Sequence, residues 1–391
     1  MKIETRYRKF WLRALLLLPV LLMLLCVGCS RDEEVEPTIN IYVYAPDRAS
    51  VTRGEVVPTL EEGRIYNLQI WVFRSSDPTQ KVASLTITKE SELQGLNEEK
   101  SASFSLKLSD RSFADRPEPV DIYVMANVLD NNGTNYLEDV TSGAEIEEAV
   151  FNGGHFFSFK TGPTYQAATS VLQGLGIPLS GVARGKSVID RNNVLHVNDA
   201  NLRLVRTVSK IRFVFSSLEG LDPIFIENIT LNKNMLYRKE RFFLDGDHPN
   251  YWVEDPFDPS VQVRLVKGDN NIPVVQNADP TVYAHNSKYS DEEYERLVNN
   301  GVEDRMLTEY GPVYLPESDK RLSGTISFRI GFNSNITLEA PFSMATGNFH
   351  RNQTWLVYAY YIGSSKLVVS AVNVVPWEIV DDLPDHQVPN W

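Results

Sequence analysis

The feature that most limits how this chain can fold is the period of its apolar residues, which is two almost wherever a pattern is legible. Thr38–Tyr44 (TINIYVY), Tyr66–Phe73 (YNLQIWVF), Val82–Thr88, Ser101–Leu108 (SASFSLKL) and Val120–Ala126 (VDIYVMA) alternate or run apolar, rich in β-branched and aromatic residues. Gly, Pro, Asn and Asp clusters separate them, as turns require. The same texture returns at Leu202–Phe215, Phe225–Leu231, Gly324–Phe332, Thr354–Tyr361 and Lys366–Val375. Short strands broken by turn formers predict an all-β chain with minor α content, built from sandwich-like domains. Helix signals are few: Ser142-Gly-Ala-Glu145 and Ser290-Asp-Glu-Glu293 each fit a capping box.

Residues 1–28 have a different texture. Lys2, Arg6, Arg8, Lys9 and Arg13 precede an apolar run from Ala14 to Val27, within the ~7–15 residues of a signal peptide's apolar region and short of the ~20 that span a bilayer. Leu25-Cys26-Val27-Gly28 before Cys29 resembles a bacterial lipobox, departing from it at Cys26 where leucine is usual. The expectation is a lipoprotein signal peptide over 1–28 and acylation of Cys29, with ordinary secretory cleavage as the alternative. An acylated cysteine anchors a chain through ~0.8 kcal/mol per buried methylene. Cleavage before Cys29 leaves it as the single cysteine, so no intrachain disulfide can form. Residues 29–37 carry Asp32, Glu33, Glu34 and Glu36. This acidic tether resembles the signal that sends lipoproteins of the Bacteroidetes to the outer face of the outer membrane, and a plain solvated tether has the same composition.

Removing residues 1–28, which hold five basic residues and one acid, moves the formal charge from −13 to −17. Phosphate backbones reward basic surfaces, so nucleic acid is not an expected partner. About 360 mature residues exceed what one core usually serves, which predicts two β-sandwich domains, placed at 38–190 and 191–391. The Gly, Pro and polar residues between Pro178 and Asn193 mark the division.

IPLSGVARG (177–185) followed by NLRLVRTVSKIRFVF (201–215) resembles the interdomain signature of the fimbrillin family of the Bacteroidetes. VTRGE with IYNLQIWVF, DIYVMANV, FHRNQTWLVYAYYIG and VNVVPW resemble further family segments in order, spanning residues 51 to 377. The resemblance implies two tandem transthyretin-like Greek-key β-sandwiches, exported as a surface lipoprotein and assembled with other fimbrial subunits into a type V pilus by donor-strand exchange, for adhesion to a host protein or glycan. It also implies proteolytic processing after an arginine, for which Arg53 is the best match and Arg48 the second. Ile39, Ile41 and Val43 share one face of TINIYVY, which suits a removable strand and a permanent edge strand equally. The tail after Trp377, EIVDDLPDHQVPNW, holds Pro384 and Pro389 and is a poor donor strand. That favours an anchor, tip or accessory subunit over the main stalk.

No catalytic constellation is legible. His155, His196, His248, His285, His350 and His386 are scattered, no Gly-x-Ser-x-Gly elbow occurs, and neither a cofactor nor a metal is expected. Asp130–Asn135 superficially suggests a calcium loop, yet the later ligands of an EF-hand do not follow. The alternative function is a surface glycan-binding lipoprotein of a nutrient-uptake complex, with Trp252, in the loop-like HPNYWVEDPFDP, as its ligand contact.

Overall fold

The structure, a computed structural model, describes residues 36–46, 60–128, 140–152, 164–166, 175–191, 194–198, 202–232, 235–237, 239–244, 249–253, 262–277, 308–343 and 349–376. The expected signal peptide, Cys29, Arg48, Arg53, Asp130–Asn135, the Ser290 capping box, Trp377 and the proline-bearing tail lie outside the described residues.

The first half forms β1 (Thr38–Tyr44), β2 (Leu68–Arg74), β3 (Lys81–Ile87), β4 (Ser101–Lys107), β5 (Val120–Ala126), β6 (Val150–Asn152), β7 (Thr164–Gln166), β8 (Leu179–Lys186), β9 (Val188–Arg191), β10 (Val194–Val197), β11 (Leu202–Arg203) and β12 (Val205–Arg206). The second half forms β13 (Ser209–Leu218), β14 (Ile224–Leu231), β15 (Lys239–Arg241), β16 (Gln262–Pro273), β17 (Gln276–Asn277), β18 (Thr308–Leu315), β19 (Ser323–Ile330), β20 (Thr337–Ser343), β21 (Gln353–Tyr361) and β22 (Leu367–Pro376). A short helix at Gly143–Glu147 starts where the first capping box predicts. Ser142 Oγ accepts from the Glu145 amide, and the Glu145 carboxylate accepts from the Thr141 amide.

Two cores, each between two sheets, account for most buried apolar side chains. Around the first, β1 lies between antiparallel β4 and parallel β10 and β11, facing a sheet of order β12-β8-β5-β2-β3. Around the second, β13 lies between antiparallel β18 and parallel β21, facing a sheet of order β20-β19-β14-β16-β7. The two arrangements match strand for strand: β1 with β13, β4 with β18, and β8-β5-β2-β3 with β20-β19-β14-β16. β22 closes the second half as an edge hairpin strand paired to β21.

One sequence expectation changes. Leu202–Phe215 is not one long strand but falls in three strands of three sheets, two of them of two residues: β11 pairs β1, β12 pairs β8, and the ten-residue β13 opens the second sandwich. Apolar residues continue through all three, Leu202 and Leu204 filling the first core and Ile211 and Phe213 the second, with the phase of the alternation shifted by one residue between the two pairs. The same run therefore serves two cores in succession. The chain passes from one core to the other between Arg206 and Ser209, with β10 and β11 in the sheet of β1 and β12 in the sheet that faces it.

Gly181 shows why that passage needs a residue without a side chain. A Cβ there would lie 2.6 Å from the Arg203 carbonyl oxygen, so β8 admits the crossing backbone only as glycine. Gly181→Ala is expected to destabilise the protein by ~1–3 kcal/mol, read as a lowered midpoint in thermal or urea denaturation; an unchanged midpoint would show that the contact can relax.

Candidate functional site

Two places in the first half and at the junction concentrate side chains that a role in assembly would use. The first is β1. Ile39, Ile41 and Val43 are fully buried, whereas Tyr42 is 45% exposed, so the expected two-faced strand is present. It is not an edge strand. Its backbone pairs along all seven residues with β4 and, on the other side, with β10 at Ile39–Asn40 and β11 at Val43–Tyr44. Withdrawing β1 would open a slot inside the sheet, floored by the first core and walled by unpaired backbone on both sides.

The second is the junction. The segment resembling an interdomain signature performs a physical task at each position. Pro178 O accepts from both the amide and the hydroxyl of Thr207 (3.0 and 3.1 Å). Ser180 Oγ donates to Phe242 O in the second half (2.8 Å). Arg206, 1% exposed, donates from Nε to Glu62 O (3.3 Å), and Ser209 Oγ donates to His350 O. Lys210 Nζ lies 3.2 Å from Glu62 Oε2, while Tyr314 donates its hydroxyl to Glu62 Oε1 at 2.6 Å. Glu62 and Lys210 are each 3% exposed. Burial lowers the Lys210 pKa to about 8 against the opposing pull of the Glu62 carboxylate, and burial raises that of Tyr314.

Beside this lock lies an apolar seam of Trp71, Phe73, Tyr123 and Met125 against Phe242 and Phe243, with Tyr123 edge-on to Phe243 at 5.3 Å. Strands also cross between the halves: β6 pairs β15, and β7 joins β16. On β15, Glu240 is fully buried. Its Oε1 accepts from the Glu317 amide and its Oε2 has no hydrogen-bond partner. Glu317 in turn meets His350 Nδ1 at 3.0 Å and Arg351 Nε at 3.3 Å. Burial, opposed by Arg351 and reinforced by Glu317, pushes the Glu240 carboxyl up to about 8.

Trp252, the expected ligand contact, is half-buried at the edge of this region. It forms a bridge with Glu240 and stacks on Tyr237 at 6.3 Å and 14°. The junction acids Glu62, Glu240 and Glu317 were not singled out by sequence; each sits in a turn or short strand with no periodic signal. Among the described residues no group of three His, Cys, Asp or Glu side chains is placed to hold a metal.

No family model matches the sequence, and no curated protein matches it. Solved structures do. A crystal structure of a candidate cell adhesion protein from Parabacteroides distasonis matches with a TM-score of 0.55 and 14% identity, over 89% of this chain and 99% of that one. The two proteins share a fold. The tip fimbrial protein Mfa3 of Porphyromonas gingivalis, with a C-terminal truncation, matches at a TM-score of 0.47 and 15% identity over 86% of this chain and 100% of that one. A fimbrial assembly protein from Parabacteroides distasonis matches at 0.43 and 10% identity, over 88% of this chain and 100% of that one.

Two predictions follow from the junction geometry. Removing one partner of a buried ion pair strands the other, so Glu62→Gln or Lys210→Met should each cost ~3–5 kcal/mol, while the combined variant should recover part of that loss; equilibrium unfolding of all three reads the coupling. Glu240 binds its proton more tightly folded than unfolded, where the value is near 4.5. Its contribution to stability is full below about 4.5 and is lost as pH rises through about 8. The melting temperature should therefore fall less between pH 5 and pH 8 in Glu240→Gln than in the native protein.

Proposed function

We propose that this chain is a non-enzymatic fimbrial subunit of the fimbrillin family, exported to the cell surface as a lipoprotein acylated at Cys29. Its two sandwiches act as two domains divided at Thr207–Val208. It joins other fimbrial subunits by donor-strand exchange, the slot of β1 receiving a strand from a neighbour. The observation that carries the reading is the placement of β1: buried on one face, paired on both flanks, and joined to the body through the segment holding Arg48 and Arg53. Cutting there frees one strand and no other part of the core. An incoming strand regains main-chain bonds along both walls and fills the pockets of Ile39, Ile41 and Val43, each worth ~1.5–3 kcal/mol of apolar burial.

The fold shared with the Parabacteroides distasonis candidate adhesion protein and the ordered motifs over residues 51 to 377 support the family. The proline-bearing tail supports a base, tip or accessory position rather than the repeating stalk, because a strand offered to a neighbour cannot carry two prolines at a central position.

Mass spectrometry of the mature N-terminus from native outer-membrane material, followed by peptide capture, tests the proposal. Acylated Cys29 is expected, with β1 retained in an anchor or lost after Arg53 or Arg48 in a polymerising subunit. Protein cut with trypsin in the 47–59 segment should capture a synthetic peptide of residues 38–44, and a peptide with Ile41→Asp should fail to bind. Equal capture of both peptides, or a mature chain with neither acyl group nor processing, would sink the reading.

A further inference from the structure

The outer face of the second sandwich carries a cavity away from β1 and from the junction. It measures 560 Å³ and is lined by Asn228, Thr230, Leu231, Asn232, Thr325, Ser327 and Glu339. Six of these seven are polar, and they come from three adjacent strands in register: Asn228 opposite Ser327, Thr230 opposite Thr325, and Glu339 opposite Ser327. The volume suits a small ligand, yet the lining is far more polar than the usual apolar pocket.

The backbone is arranged to produce this face. Ile226 and Ile229 both fill the core, a spacing of three where a regular strand has two. The extra residue is a bulge, seen as a register shift between Ile226 and Asn228 against both β16 and β19. It turns Asn228 to the same face as Thr230 and Asn232. The Asn228 side-chain oxygen is buried there without a hydrogen-bond partner, and Thr230 is 7% exposed. A buried amide oxygen left unpaired costs ~1–3 kcal/mol, a cost that a ligand's hydroxyl would relieve.

We infer that this cavity is a binding site for a neutral saccharide unit of a surface glycan. Amides and hydroxyls supply the mixed donors and acceptors that sugar hydroxyls need. The Glu339 carboxylate accepts two hydroxyl bonds at once, as carboxylates do with paired donors. No lining residue is basic, so sulfated or uronic-acid sugars are disfavoured, in line with the net charge of −13. Phe225 lies three residues before Asn228 on β14, about 10 Å along the strand, where Phe332 packs on it at 5.2 Å and is itself 73% exposed. An exposed ring at that point offers a stacking surface to a second sugar. The site is independent of β1 and of the lipid anchor, so it stands or falls apart from the fimbrial reading.

The test is isothermal titration of the full-length protein with neutral di- to tetrasaccharides of glucose, galactose, mannose and N-acetylhexosamines, beside sulfated and uronate controls. Binding of a neutral oligosaccharide is expected, weakened about tenfold or more by Glu339→Gln, an exposed position whose change leaves the fold intact, since a charge-assisted bond is lost. Filling the cavity with Ser327→Trp should abolish binding, and circular dichroism should show both variants folded. Absence of binding to every neutral sugar, preference for the acidic controls, binding indifferent to both substitutions, or occupation of the face by a second protein chain would overturn the inference.

Discussion

The carboxylate of Glu62 holds the two sandwiches in one arrangement. A buried charge is tolerated only when its partners are in place, and here they arrive from distant parts of the chain: Lys210 at the start of β13, Tyr314 near the end of β18, and Arg206 on the backbone oxygen. The turn that carries Glu62, the link between the cores and a strand of the second sheet are thereby fixed relative to one another. The apolar seam beside them supplies area without direction, and any small slip would keep most of it. The polar lock has direction and specifies the register. With Cys26 and Cys29 as the chain's two cysteines, no disulfide bridges the described sandwiches, and the junction depends on such non-covalent contacts.

The halves are also interleaved. β6 and β7 leave the first half and pair with β15 and β16, so separating the sandwiches would break backbone ladders as well as side-chain contacts. Glu240 sits at one of these crossings, and its protonation links the integrity of the crossing to pH. Glu317 is the intermediary, tying Glu240 to Arg351 and His350.

Much of this architecture was legible in the sequence, and the part that was not has a physical reason. Thr38–Tyr44 and Val120–Ala126 are strands over their expected bounds, because each faces one core with an unbroken pattern. Leu202–Phe215 misled because its apolar residues serve two cores in turn, and the only local mark of the switch is the one-residue change of phase between Leu204 and Ile211; the role of Gly181 appears only when Arg203 is seen against it. Glu62 is illegible in principle from local pattern, since its partners Lys210 and Tyr314 lie 148 and 252 residues away. An acid in a turn reads as solvated until those partners are known. Trp252 reads as a loop aromatic, but Tyr237, fifteen residues earlier, occupies one face of its ring. The bulge at Asn228 is likewise a property of the ladder and not of the residues that form it.

The strand-for-strand match between the sandwiches sharpens the case for β1. β13 holds the equivalent place, between an antiparallel and a parallel neighbour above a core, and its apolar face is as deeply buried. The two differ in how they are tied. β13 enters through the lock, with Lys210 bound across the junction to Glu62 and Ser209 bound to His350 O within the second half, and it continues directly into β14. Extracting it would unfold both halves. β1 is joined to the rest of the first sandwich through the segment with Arg48 and Arg53; at its other end Glu36 pairs with Lys107 and Arg111 at the surface, and its outward side chains make light contacts, such as Tyr42 to Ser101 at 3.1 Å. One architecture thus holds two equivalent strands, and the chain's connectivity leaves one of them separable at the cost of its own burial and its backbone pairing with β4, β10 and β11. Under the proposed function, exchange is confined to the first sandwich for that reason, while the second keeps its strand and presents its outer face to solution.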